Sequence, residues 1–156
     1  MHPLMYRLWF FFIVVLTLFS CNNPRKGALS PQVRTEIQQL AISNEPIPQK
    51  YEVLARRMET LLREASAKKK DEELIEHLRV FYAENSLALD RLEAEFQTWF
   101  RETDPEELNQ FLMELNQQQY ITDLRIRRRD IRSRLLYNKP FLAEFERLTR
   151  CLEFRK

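Results

Sequence analysis

The chain has 156 residues, with 25 Lys and Arg against 23 Asp and Glu, one Gly, seven Pro and two Cys. Residues 1–20 hold a single formal charge, Arg7, among 15 apolar residues, and the 136 that follow are about 35% charged and near neutral overall. Such a balance argues against a protein that neutralises nucleic-acid phosphates, and the lone Gly27 leaves no phosphate loop, dinucleotide turn or nucleophile elbow.

Residues 8–19 (LWFFFIVVLTLF) form an apolar run of 12, preceded by Arg7 and followed by Ser20, Cys21, Asn22 and Asn23. A bilayer-spanning helix needs about 20 apolar residues, so the run reads as the hydrophobic stretch of a signal peptide covering 1–20. Leu18, Phe19, Ser20 and Cys21 resemble the lipobox of bacterial lipoproteins, with Phe19 where the strict pattern has a small residue. That resemblance covers only the first 23 residues or so and implies nothing about the fold beyond them. It implies that Cys21 is acylated and becomes the mature N-terminus, making membrane lipid the first partner. Because Asn22, and not Asp, follows Cys21, it also implies the periplasmic face of an outer membrane. Residues 21–29 would be the lipidated N-terminus and its tether, of which 22–29 (NNPRKGAL) span at most about 26 to 29 Å when extended.

Residues 30–156 read as one α-helical domain. Ser30-Pro31 supplies a cap and a proline at the first helical position, and Val33, Ile37 and Leu40 share a face up to Asn44-Glu45-Pro46, giving a helix over 31–43. Tyr51, Leu54, Met58, Leu61, Leu62 and Ala65 predict a second helix over 49–67. Lys68 to Lys70 suit its negative end, while Asp71, Glu72 and Glu73 suit the positive start of a third; a turn or one continuous helix both fit. Leu74, Leu78, Phe81, Asn85, Ala88, Leu92 and Phe96 carry that third helix over 71–102. Thr103-Asp104-Pro105-Glu106-Glu107 opens a fourth, whose stripe Leu108, Phe111, Leu115, Ile121, Leu124, Ile131 and Leu135 extends to Tyr137. Asn116 and three glutamines interrupt that stripe as a local break or a wet part of the bundle. A short connection predicts that helices three and four pair as a long antiparallel hairpin. Asn138-Lys139-Pro140 then starts a last helix with Phe141, Phe145, Leu148 and Leu152 on one side. The expected fold is all-α, a bundle of four to five helices dominated by that hairpin.

Chemistry is sparse in this chain. His77 is the only histidine beyond the signal segment, with Glu73 one turn before it, so a di-iron carboxylate site lacks ligands and Ser/His or Cys/His catalysis lacks a base. No catalytic residue, metal site or cofactor is predicted. Cys151 is a candidate thiol: with Cys21 acylated it is the odd cysteine of an oxidising compartment, free to dimerise with a second copy or to sit in the core beside Leu148 and Leu152.

The distinctive feature is an arginine run on the fourth helix. Asp123 precedes Arg127 and Asp130 precedes Arg134 by one turn, so these two pair within their own helix. Arg125, Arg128, Arg129 and Arg132 fall in one sector bordering the apolar face with no acid four residues before them. They either pair with glutamates of a neighbouring helix, such as Glu93, Glu95 or Glu102, or form a surface that binds an anion or an acidic partner. The functional expectation is a membrane-anchored envelope lipoprotein that acts without catalysis, as a helical adaptor or accessory subunit holding an envelope protein. The alternative is a periplasmic ligand- or metal-stress-sensing domain with His77, Glu73 and either Met58 or Met113 as ligands.

Overall fold

The computed structural model describes residues 31–152, so the signal segment, Cys21 and the tether lie outside the described residues. Those described form six α-helices and no strand. They are α1 (Pro31–Ile42), α2 (Ile47–Ser66), α3 (Asp71–Glu102), α4 (Pro105–Asn116), α5 (Gln119–Leu135) and α6 (Lys139–Leu148), followed by a 3₁₀ turn at Arg150–Leu152.

Local chemistry sets the boundaries. Ser43 closes α1 by donating its backbone N–H and its hydroxyl to the Leu40 carbonyl. Pro46 then caps α2, which opens at Ile47, two residues before the expected start, with Pro48 in its first turn. α2 and α3 are separate helices joined by a turn at 67–70. The acids Asp71, Glu72 and Glu73 fill the first turn of α3, where the exposed N–H groups favour negative charge. Asp104 caps α4 by accepting from the Glu106 N–H at 2.8 Å, ahead of Pro105.

The expected fourth helix is two. At Gln117 the backbone is still helical, but Gln118 turns extended (φ −77°, ψ 128°), and α5 starts afresh at Gln119. Asn116 and the three glutamines are all exposed. Burying four amide side chains against another helix would cost each its water hydrogen bonds, so the chain breaks there and redirects.

That break also corrects the expected pairing. A long antiparallel hairpin exists, but it is made by α2 and α3: Lys50 meets Glu95 near one end and Glu64 meets His77 near the other. α4 crosses the end of the bundle, where Phe111 sits edge-on to Trp99 (5.2 Å) and Tyr51 (6.1 Å), and Tyr51 edge-on to Phe96 (5.3 Å). Such aromatic pairs each add about 0.5 to 1.5 kcal/mol beyond area burial.

α5 then packs on α2 and runs parallel to it, with Tyr120 under Arg56, Arg127 on Glu59 and Arg134 at the carbonyls of Lys68 and Lys69. α6 lies parallel to α3, tied by Arg79 to Glu144, Tyr82 to Arg147 and Glu93 to Arg150. α1 occupies another side of α3, its Gln38 amide donating to the Glu84 carbonyl and its Ala41 and Ile42 lying alongside Leu87 and Ala88. α3 is therefore the central spine. Its Leu74, Ile75, Leu89 and Leu92 are fully buried together with Ile37, Leu54, Met58, Leu62, Leu135 and Phe145.

Candidate functional site

Arg127 and Arg134 do not pair within α5. Arg127 Nε donates to Glu59 of α2 at 3.0 Å, and Arg134 reaches Asp71 of α3 at 2.7 Å and the carbonyls of Lys68 and Lys69 at 2.7 and 3.0 Å. Both face inward, and a planar guanidinium satisfies a carboxylate and two carbonyls at once, which an Asp one turn away on the same helix cannot match. Arg134 thereby ties the α2–α3 turn to the end of α5.

The other four arginines are brought together. Arg125, Arg128, Arg129 and Arg132 line a concavity of about 390 Å³ between α5 and α6, along with Ser133, Leu136 and Leu142. Arg125, Arg129 and Arg132 meet other groups than Glu93, Glu95 or Glu102. Glu93 binds Arg150, Glu95 binds Lys50 and Arg91, and Glu102 is exposed at the end of α3. Arg125 donates to the neutral Asn116 amide oxygen at 2.5 Å. Arg129 contacts its own neighbour Asp130 at 3.3 Å, with both side chains exposed. Arg132 meets Glu146 of α6 at 3.0 Å, again in solvent, where an ion pair contributes about 0 to 1 kcal/mol. Arg128 is half-buried on the side of α5 that faces Tyr51 and Cys151. The groove thus combines fixed positive charge, one hydroxyl and an apolar floor. Guanidinium groups do not titrate at physiological pH, so this set suits holding a carboxylate or phosphate, not moving protons. Sequence spacing finds the four arginines; it misses Leu142, which arrives from another helix.

Cys151 is buried in the 3₁₀ turn after α6. Burial pushes its thiol up to about 12, with Glu93 adding to the effect against Arg128 and Arg150. It is packed as a core residue, not presented to a partner.

Nor do the proposed metal ligands converge. His77 turns to Glu64 of α2, with Nε2 3.2 Å from the carboxylate but not aligned for a hydrogen bond, while Met58 is in the core and Met113 is exposed on α4. Glu73 and His77 do border a shared hollow of about 650 Å³ with Lys68, Glu72, Glu76, Arg79 and Phe141. Among the described residues no three His, Cys, Asp or Glu groups are placed to hold a metal ion. Burial, then Lys68, lowers the His77 pKa below its usual value against the opposing pull of Glu64, which favours the neutral ring.

Two further features escape the sequence. Lys50 is buried on Glu95 at 2.8 Å; burial pushes that carboxyl up, but the bonds from Lys50 and Arg91 outweigh it and bring it down. A third concavity, between α1 and α3, exposes Ile42 and Leu87. At its base Asn85, a polar member of the α3 stripe, donates to the Phe81 carbonyl one turn back in its own helix. Among the described residues no helix is long and apolar enough to cross a membrane. Comparison with family models, curated proteins and solved structures yields no match.

Proposed function

We propose that the protein is a non-catalytic, lipid-anchored helical adaptor of the bacterial cell envelope, tethered through Cys21 to an outer membrane and facing the periplasm. It holds an envelope protein through the arginine groove. The observation that carries this reading is the convergence of Arg125, Arg128, Arg129 and Arg132 on one concavity floored by Leu136 and Leu142. Like charges held together repel, and here Arg129 and Arg132 meet the exposed acids Asp130 and Glu146 while Arg125 meets a neutral amide, so an added anion lowers the energy of the set. A partner segment with carboxylates spaced for the guanidinium forks and a leucine-sized anchor fits this lining.

The test is affinity capture of the tagged full-length protein from detergent-solubilised envelopes, with intact mass spectrometry on the same sample. The adaptor reading expects a mature mass starting at triacylated Cys21 and one stoichiometric partner, which is lost in Arg125→Glu/Arg129→Glu. Neither substitution touches an ion pair between helices, so circular dichroism should be unchanged. Capture of the same partner by that variant would remove the groove from the account, and an unmodified Cys21 would remove the anchor.

A further inference from the structure

One end of the bundle collects features that, Leu136 at the groove's edge apart, the groove does not use. Arg134 fastens the C-terminus of α5 onto the α2–α3 turn, and this places Leu136, Tyr137 and Lys139 beside Lys68, Lys69 and Lys70. Tyr137 is 96% exposed and Leu136 57%, neighbours in sequence that both project into solvent from the last turn of α5 and the bend after it. The cations of this end, Lys68, Lys69, Lys70, Arg134 and Lys139, outnumber its acids Asp71, Glu72 and Glu73, and Asp71 is already taken by Arg134. The opposite end is different: there α4 folds across and buries its Phe111 on Trp99 and Tyr51.

The direction of α1 adds an independent observation. α1 runs parallel to α3, since Gln38 lies by Glu84 and Ile42 by Leu87, and antiparallel to α2, since Glu36 pairs with Arg57. Its first residue, Pro31, therefore points to the end that carries the α2–α3 turn. The chain enters the bundle on the side where the lysines, Leu136 and Tyr137 are exposed.

We infer that this end is a docking face for an anionic bilayer, with Lys68, Lys69, Lys70 and Lys139 on the lipid headgroups and Leu136 and Tyr137 inserted at the interface. Basic residues near an anionic surface contribute about 1 kcal/mol each, and tyrosine and leucine suit the boundary between headgroups and acyl chains. The inference rests on the reading that Cys21 is lipidated: a tether of at most about 29 Å keeps this end close to the membrane, and docking then fixes the orientation of the domain. The α1–α3 concavity and the arginine groove would lie along the flanks of the bundle, open to a partner approaching from the side.

The mature full-length protein on nanodiscs of phosphatidylglycerol, compared with discs of phosphatidylcholine, provides the test through amide hydrogen exchange. Docking expects slower exchange at 67–70 and 136–140 on phosphatidylglycerol alone. The ratio of docked to undocked protein should fall about fivefold for each lysine removed in Lys68→Gln/Lys69→Gln/Lys70→Gln, and it should fall with added salt. Leu136→Ser/Tyr137→Ser should weaken docking on the same discs; Lys69, Lys70, Leu136 and Tyr137 are exposed and Lys68 is half-buried, and none of them belongs to the core. Identical exchange on both lipids, or protection confined to 42 and 83–91, would overturn the docking face. Anchor and docking separate cleanly. A chain retained on phosphatidylcholine with no lipid-dependent protection keeps the anchor and refutes docking, whereas a chain retained only on phosphatidylglycerol with 136–140 protected supports docking and refutes the anchor.

Discussion

The two sides of α5 are built from the same residue and do opposite things. Arg127 and Arg134 face other helices, lie partly buried, and bind Glu59, Asp71 and two carbonyls of the α2–α3 turn. Arg125, Arg129 and Arg132, on the same helix, stand in solvent with an amide or an exposed acid for company. Charge alone does not distinguish a staple from a binding surface. Depth does, because an ion pair strengthens as water is removed from it and an unanswered charge becomes costly only when buried.

The largest expected effect lies on the inner side. Arg134→Ala removes the bond to Asp71 and leaves two carbonyls of the α2–α3 turn without this donor, and should destabilise the domain by about 2 to 3 kcal/mol in urea unfolding. Arg129→Ala should stay within about 0.5 kcal/mol of wild type. Equal losses for the two would erase the distinction between the sides.

His77 carries the comparison into pH. Its folded pKa is lowered, by burial first and Lys68 second, so the unfolded chain takes up the proton earlier than the folded one as pH falls. Stability is therefore full above the ordinary histidine value of about 6.5 and declines below it toward the lowered folded value. The carboxyls of Glu95 and Glu144 are also lowered in the fold, but their loss begins only near and below the ordinary glutamate range of about 4.3, a separate window. Denaturation midpoints should fall between pH 7.5 and 5.5 in wild type and stay nearly flat over that interval in His77→Gln. A midpoint that rises on acidification would mean that Glu64 dominates and the ring is charged in the fold.

Much of the architecture is legible in the sequence. The bounds 71–102 of α3 follow from acids at its start, an unbroken apolar stripe and Thr103-Asp104-Pro105 at its close, all of them local signals. What is not legible is which helix meets which. A stripe such as Ile121, Leu124, Ile131 and Leu135 says that α5 must be covered, not that α2 covers it, and the glutamines that redirect the chain act through solvation, with no change of helical periodicity. The same limit explains the arginines. Their common sector follows from 100° per residue, but the partners Glu59, Asp71 and Glu146 are 14 to 68 residues away, on helices whose placement depends on the break. Leu136 and Tyr137 likewise read as the end of a stripe and stand exposed because Arg134 fixes the helix end in another direction.

Cys151 separates a core thiol from a reactive one. With burial holding the thiol near 12, it should resist alkylation at pH 8 in the folded protein and react on unfolding, and Cys151→Ser should cost about 1 kcal/mol while leaving non-reducing gels unchanged. A disulfide-linked dimer in wild type that vanishes in the variant would show that the 3₁₀ turn opens to a second copy.

The smallest effect is also the most discriminating for the outer arginines. In a double-mutant cycle, Arg132→Ala and Glu146→Ala should couple by less than about 1 kcal/mol, because both side chains are solvated and the pair must order two long side chains to form. A coupling well above that would mean that Glu146 neutralises the groove from within and that Arg132 belongs with Arg127 and Arg134 as a structural staple. A coupling near zero leaves Arg132 available, and its charge should then appear in the salt dependence of partner capture instead of in stability, which is the behaviour of a residue on the rim of an interface.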